Sequence, residues 1–124
     1  MKKILLVDDE EDILASLQLR LKAEGYDVIL ASDGGQALEA ALRHAPDLIL
    51  MDIRLPVMDG YEVCRRIRSD TRIGDTPIIF LTADASIRVA EETESCGASD
   101  YLVKPFLAGE LTLKMKHLLN RDKK

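Results

Sequence analysis

The sequence predicts a single α/β domain built on a parallel sheet with helices on both faces. Three observations carry that prediction. Five short apolar runs, each too brief for a helix, alternate with stretches whose apolar residues recur at helical spacing. Gly, Pro and Asp mark the junctions between them. The apolar runs end in polar residues able to do chemistry, and in open α/β sheets ligands bind outside the carboxyl ends of the strands.

The first strand, Lys3–Val7, carries Ile4, Leu5, Leu6 and Val7 and runs into five consecutive acids, Asp8 to Asp12. Ile13, Leu14, Leu17 and Leu21 then repeat at helical spacing, and Gly25 stops that helix. Residues 28–31 form a second strand. Ser32-Asp33-Gly34 turns into a short helix with Ala37, Leu38, Ala41 and Leu42 on one face, ending before Pro46. The third run, Leu48 to Met51, is apolar at every position and lies between Pro46 and Pro56. It reads as a strand buried on both faces at the centre of the sheet. Asp52 stands at its end.

Asp59-Gly60 leads into a helix carrying Val63, Cys64 and Ile67, and residues 69–76 are a polar loop. A fourth buried strand, residues 77–81, ends at Thr82. Residues 85–96 form a weakly amphipathic helix, with Ile87, Val89 and Ala90 apolar and Gly97 as its stop. The fifth strand, Asp100–Val103, ends in Lys104-Pro105-Phe106. Leu107, Leu111, Met115 and Leu118 define the last helix. The domain spans residues 1–120, and residues 121–124 form a solvated tail.

Strict alternation implies right-handed βαβ crossovers. The compact solution is a flavodoxin-like (βα)5 three-layer sandwich, a parallel five-stranded sheet in the order 2-1-3-4-5 whose crevice opens between strands 1 and 3. In that order Asp8 and Asp9 meet Asp52, while Thr82 and Lys104 reach the same rim from strands 4 and 5.

Bulk properties exclude several classes. A net charge of −5 argues against nonspecific binding to nucleic acid or to anionic membranes. No apolar run approaches the roughly 18 residues that span a bilayer. The amino terminus begins like a signal peptide, but Asp8 ends its apolar part far short of the usual ~7–15 residues. A cytoplasmic location is expected. Cys64 and Cys96 fit no metal spacing and read as two reduced, packed thiols. Arg65, Arg66, Arg68 and Arg72 read as a solvated face, and His44 and His117 as surface or packing residues.

Three carboxylates brought together repel one another unless a cation joins them. Oxygen ligands suit a hard divalent ion such as Mg²⁺ (or Mn²⁺). Lys104 brings a point charge on a long stem, able to pair with Asp52 or with a phosphoryl group on it. A carboxylate flanked by a metal and a lysine can accept a phosphoryl group as an aspartyl phosphate. Glu10, Glu11 and Asp12 are explained as favourable charge at a helix amino terminus, worth about 0.3–1 kcal/mol each.

These residues carry a family resemblance over the whole chain. Ile4-Leu5-Leu6-Val7-Asp8-Asp9-Glu10, Asp47-Leu48-Ile49-Leu50-Met51-Asp52 with Leu55-Pro56 and Asp59-Gly60, Phe80-Leu81-Thr82-Ala83, and Gly97 to Phe106 resemble the receiver domains of two-component response regulators. The resemblance implies that Asp52 is the phosphoacceptor for a histidine kinase or phosphotransfer protein. It implies that Asp9 ligates Mg²⁺ directly, that Asp8 assists partly through water, and that the backbone carbonyl of Arg54 is the third protein ligand. Lys104 would pair with the phosphoryl group, across a cis Lys104-Pro105 bond. Thr82 would move to the phosphoryl oxygen and Tyr101 would swing inward behind it. That switch would change the partner affinity of the face formed by residues 85–120.

Arg54 and Asp84 occupy the positions that tune phosphoryl lifetime in such domains. They are expected to form an exposed ion pair across the mouth, slowing hydrolysis. The expected partners are a kinase or phosphotransfer protein and an effector protein or fused output domain. Neither nucleic acid nor membrane is a direct partner, and a phosphorylation-dependent dimer is compatible with the class. The tail after the last helix fits a receiver acting alone and equally one from a longer chain.

Three other readings compete. A flavodoxin needs a phosphate loop after the first strand, where five acids would repel the phosphate. A metal-dependent phosphatase with an Asp nucleophile is the enzyme alternative, and its pattern has a second Asp where Arg54 stands. A purely structural module leaves the acidic crevice unexplained.

Overall fold

A computed structural model describes residues 1–120, and the predicted tail, residues 121–124, lies outside the described residues. Five strands, β1 (Lys3–Val7), β2 (Asp27–Ala31), β3 (Leu48–Asp52), β4 (Ile78–Thr82) and β5 (Asp100–Val103), form one sheet. They alternate with α1 (Glu11–Ala23), α2 (Gly34–His44), α3 (Gly60–Arg68), α4 (Ile87–Cys96) and α5 (Ala108–Asn120). The strand order is β2-β1-β3-β4-β5 and every pairing is parallel. This is the predicted order.

The continuous apolar runs follow from burial on both faces. Leu5, Val7, Ile49, Met51, Ile78 and Phe80 point to the side covered by α2, α3 and α4, where they meet Ala37, Val63, Ile67 and Val89. Ile4, Leu6, Leu48, Leu50, Ile79 and Leu81 point to the other side and meet Leu21, Leu111, Met115 and Leu118 of α1 and α5. Neighbouring residues along each strand thus serve opposite cores, as the two-residue strand period requires.

Local signals set the boundaries. Asp33 and Asp59 cap α2 and α3, accepting from the backbone N–H groups of Gln36 at 2.7 Å and Glu62 at 2.9 Å. Gly25 (φ 93) and Gly97 (φ 86) take the left-handed conformation at the predicted stops. α4 starts at Ile87, two residues later than expected, because Asp84 accepts the Ser86 N–H at 2.8 Å and holds that segment in a turn. Ile87 therefore lies outside the buried stripe of Val89, Thr93 and Cys96 and is exposed. Leu107 is also exposed and precedes α5, with its N–H donated to the Glu110 side chain.

One expectation about the arginines fails. Arg65, Arg66 and Arg72 are solvated as predicted, but Arg68 is half-buried and aims its guanidinium at three main-chain carbonyls. Only the folded loop brings those carbonyls to it.

Candidate functional site

The parallel register brings the carboxyl ends of β1, β3, β4 and β5 to one rim. Val7 lies level with Met51, Asp52 with Leu81, and Thr82 with Val103. The first residues past or at each end are therefore Asp8, Asp52, Thr82 and Lys104.

Asp8 has no solvent exposure. Its N–H donates to Ala31 at 3.2 Å, its Oδ1 accepts the Glu10 N–H at 3.0 Å, and its Oδ2 accepts Lys104 Nζ at 2.9 Å. Asp52, 9% exposed, accepts the Arg54 N–H on Oδ1 at 3.0 Å and Lys104 Nζ on Oδ2 at 3.2 Å. Lys104 is held by its own N–H, which donates to the Thr82 carbonyl at 2.7 Å. Its ammonium thus bridges two buried carboxylates. Its peptide bond to Pro105 is cis, as the resemblance implied.

Electrostatics follow from that geometry. Burial, with the Asp8 charge, pushes the Asp52 carboxyl up, and the two together outweigh the lowering by Lys104 and the Arg54 N–H. Burial pulls Lys104 down, but the bonds and charges of Asp8 and Asp52 together outweigh it, so its pKa is raised. One ammonium shared by two carboxylates leaves Asp52 undercompensated.

The backbone approaches the site closely behind Asp52. A Cβ at Gly60 would lie 2.7 Å from the Asp52 carbonyl oxygen and 2.9 Å from Ile53 Cα, so glycine is required where α3 begins. Gly60 N–H donates to the Ile53 carbonyl at 2.7 Å, fixing the loop after β3.

In front of these groups lies a cavity of about 610 Å³ lined by Asp9, Glu10, Asp52, Arg54, Thr82, Ala83, Asp84 and Lys104. Carboxylate oxygens of Asp8, Asp9 and Glu10 lie within 4.8 Å of one another. Glu10, expected to serve the helix terminus alone, also belongs to this acidic group, and its place directly after Asp9 is the signal for it. The donor set is all oxygen and already short of positive charge, which fits a hard divalent cation.

Thr82 is buried, and its Oγ1 accepts the Asp84 N–H at 3.0 Å. Arg54 and Asp84 both line the mouth, as expected. The expected ion pair between them is absent among the described residues: no N–O approach reaches 4.0 Å. Asp84 instead serves Ser86, whose N–H holds its carboxyl below the usual range, with Arg54 and Arg88 contributing weakly. Arg88 and Tyr61, which the sequence did not single out, line an adjoining cavity of about 270 Å³ with Arg54, Thr82 and Asp84. Tyr101 is not among the crevice residues; it is half-buried on β5 and lines a groove with Lys104, Glu110 and Lys114.

Comparison with known proteins gives a consistent picture. The family model described as response regulator receiver domain matches residues 4–116. The alkaline phosphatase synthesis transcriptional regulatory protein PhoP of Bacillus subtilis is 45% identical over 121 residues, covering 98% of this chain and 50% of that protein. The chain spans about half the length of the curated relatives it matches. A putative response regulator from Chloroflexus aurantiacus superposes with a TM-score of 0.92 at 37% identity, covering 97% of this chain and 98% of that one. The receiver domain of the sensor histidine kinase PA1611 from Pseudomonas aeruginosa, with a magnesium ion coordinated in its active site cleft, superposes with a TM-score of 0.89 at 40% identity. It covers 96% of this chain and 98% of that one.

Proposed function

The chain belongs to the response-regulator receiver family of two-component signalling, and from that premise we propose that Asp52 takes a phosphoryl group from a histidine kinase or a phosphotransfer protein. The observation that carries this reading is the Lys104 ammonium, bridging Asp8 Oδ2 at 2.9 Å and Asp52 Oδ2 at 3.2 Å at the mouth of the crevice. An Asp52 oxygen attacks phosphorus; the new O–P bond forms as the donor's bond to phosphorus breaks. Lys104, which now divides its charge between two carboxylates, then pairs with the phosphoryl oxygens. Thr82 turns its hydroxyl from the Asp84 N–H towards the same oxygens, and Tyr101 follows it inward.

Mg²⁺ (or Mn²⁺) would be held by Asp8, Asp9, Asp52 and the backbone carbonyl of Arg54, and it supplies charge neutralisation of the transferring group. The acidic donor set supports this assignment. The chain acts on no separate substrate: it catalyses only its own phosphorylation and the later hydrolysis. Arg54 and Asp84, both at the mouth, set the rate of that hydrolysis by controlling water entry.

The output is a change in the face formed by residues 85–120, read by an effector protein, by a fused output domain or by a second copy of the chain. A cytoplasmic location is supported by the class of protein; no helix among the described residues is long and apolar enough to cross a membrane. The phosphatase alternative draws no support from the family match, and Arg54 stands where that chemistry wants a second carboxylate.

Intact mass after treatment with acetyl phosphate, with and without Mg²⁺, tests the proposal on wild type and Asp52→Asn. One phosphoryl adduct that needs the metal and vanishes in the variant is expected. An adduct that persists in Asp52→Asn, or none in any condition, overturns the assignment.

A further inference from the structure

The cavity of about 270 Å³ lined by Arg54, Asp59, Tyr61, Thr82, Asp84 and Arg88 adjoins the phosphoacceptor crevice and shares Arg54, Thr82 and Asp84 with it. Among the described residues three cations line the two cavities. Lys104 is engaged with Asp8 and Asp52. Arg54 and Arg88 make no ion pair. The carboxylates that line the smaller cavity with them serve the backbone instead: Asp59 Oδ1 accepts the Glu62 N–H at 2.9 Å, and Asp84 Oδ1 accepts the Ser86 N–H at 2.8 Å.

Both arginine stems rise from backbone that the site holds in place. The Arg54 N–H donates to Asp52 Oδ1 at 3.0 Å. Arg88 lies in the first turn of α4, between Ser86, which Asp84 holds, and Val89, which is seated in the core. Tyr61, its ring edge-on to buried Phe80 with centroids 5.3 Å apart, walls the same cavity. A phosphodonor is an anion that must enter a crevice lined by Asp9, Glu10 and Asp52. Unengaged guanidinium groups beside that crevice favour its approach. In-line attack by Asp52 also points the leaving group away from Asp52, towards the open side of the crevice.

We infer that Arg88, acting with Arg54, recognises the leaving group of small acyl phosphates and sets a preference for them over donors that release a neutral amine. The inference rests on Asp52 as phosphoacceptor and adds the class of donor. The step needs no further reactant. An Asp52 oxygen attacks phosphorus and forms the new O–P bond; the bond from phosphorus to the acyl oxygen breaks, and its electron pair leaves on a carboxylate. Negative charge grows on that oxygen in the transition state, where guanidinium N–H groups stabilise it by charge-assisted hydrogen bonds. Phosphoramidate delivers the same phosphoryl group, but its nitrogen arrives protonated and leaves as neutral ammonia, so it offers the arginines no developing anion. Lys104 serves the phosphoryl oxygens that both donors share.

Initial rates of phosphorylation are followed by intact mass at saturating Mg²⁺, over a range of acetyl phosphate and of phosphoramidate concentrations. Wild type is compared with Arg88→Met, Arg88→Lys and Arg66→Met. Arg66 is exposed on α3, so its variant controls for the loss of one net charge. Arg88→Met should lower the second-order rate constant for acetyl phosphate about three- to fivefold, as loss of one exposed charge contact implies, and leave that for phosphoramidate within about 1.5-fold. Arg88→Lys keeps the charge without the planar fork and should recover part of the loss. Arg66→Met should leave the ratio of the two donors unchanged. The far-UV circular dichroism and melting temperature of Arg88→Met should stay native, since the side chain is exposed. Equal losses with both donors, no loss with acetyl phosphate, no recovery with lysine, or the same change of ratio in Arg66→Met overturns this inference and leaves Asp52 as the phosphoacceptor. No adduct on wild type from either donor overturns the proposed function, and this inference with it.

Discussion

Replacing Arg68 by Met removes a three-way tie between α3, the loop before β4 and the end of α4. Arg68 Nε donates to the Gly97 carbonyl at 2.7 Å, and Nη1 donates to Gly74 at 3.0 Å and to Thr76 at 2.7 Å. The stem also packs on the helix stop, since a Cβ at Gly97 would meet Arg68 Cγ at 3.2 Å. Hydrogen bonds to a charged group contribute about 1.5–3 kcal/mol each when shielded. Arg68 is only half-buried, so water recovers part of that when the side chain is cut back. A net loss of about 2–4 kcal/mol follows, a large share of the ~5–15 kcal/mol that holds such a domain folded. Methionine keeps most of the stem, which confines the change to the guanidinium. Urea unfolding followed by far-UV circular dichroism is the assay, since the chain has no tryptophan. With a slope of about 1.5 kcal/mol/M the midpoint should fall by about 1.3–2.7 M. Arg66→Met is the control: its partner Glu62, at 2.9 Å, is exposed, and such pairs contribute about 0–1 kcal/mol. Equal midpoints for the two variants would refute the claim that carbonyl geometry, and not arginine as such, is what stabilises.

Two further outcomes are expected. Val57 adopts φ 73 in a tight turn in which the Met58 N–H donates to the Pro56 carbonyl at 2.8 Å, and its side chain is 81% exposed. Such a backbone costs a β-branched residue about 1–3 kcal/mol, and glycine's added unfolded-state freedom takes back about 0.4–1. Val57→Gly should therefore stabilise by about 1 kcal/mol; a lower urea midpoint would count against the strain. Lys104→Met leaves Asp8 and Asp52 buried without their cation and should cost about 2–4 kcal/mol at neutral pH, somewhat below the range for a fully buried pair. The sign with pH follows from the shifts. Lys104 lowers the Asp52 pKa, which is raised on balance, so the variant raises it further, and the deficit should narrow as pH falls from the variant's higher value towards the wild-type one. Lys104, also raised, contributes stability below its unfolded value of about 10.4 that is lost as pH rises through the folded one, so wild type should lose its advantage only in strong alkali. Melting curves from acid to alkaline pH check both limbs, and a pH-independent gap would contradict them.

What was legible in the sequence depended on how far each signal reaches along the chain. β3 and β4 could be read because burial on both faces leaves a run with no polar position, and Asp52 and Thr82 because each closes its run. Lys104 could be placed because the sheet order, once inferred, puts every strand end on one rim. The role of Arg68 could not be read, since its partners Gly97, Gly74 and Thr76 become neighbours only when the loop before β4 has folded. The Arg54–Asp84 pair was expected from two positions flanking one mouth, but a carboxylate two residues ahead of a free N–H has a nearer partner, and Ser86 took it. Val57 gives no local sign of positive φ, because the turn is imposed by chain closure between Asp52 and the Asp59 cap. Cys64 and Cys96 were read correctly as packed. The contact of Cys64 Sγ with the Cys96 carbonyl across two helices has no signature in spacing.

The charge balance of the crevice explains why its chemistry should need a cation. Asp8, Asp9, Glu10 and Asp52 share one crevice, in which the Lys104 ammonium is already divided between Asp8 and Asp52 and Arg54 stands at the mouth without an ion-pair contact among the described residues. Asp52 carries the cost of that arrangement in a raised pKa, caused chiefly by burial. Phosphorylation would exchange the single carboxylate charge for the about 1.5–2 negative charges of a phosphoryl group at the same place. Lys104 alone cannot offset them without abandoning Asp8, which has no exposure to water and no other cation within ion-pair reach among the described residues. A divalent ion bound to the exposed edge of the acids would free the lysine to follow the new charge. Movement of Lys104 from two carboxylates to one phosphoryl group is then a local electrostatic exchange. The Lys104 N–H is anchored to the Thr82 carbonyl, so the exchange occurs beside the hydroxyl proposed to carry it to Tyr101. Metal dependence and the proposed switching would then be two consequences of the same shortage of positive charge.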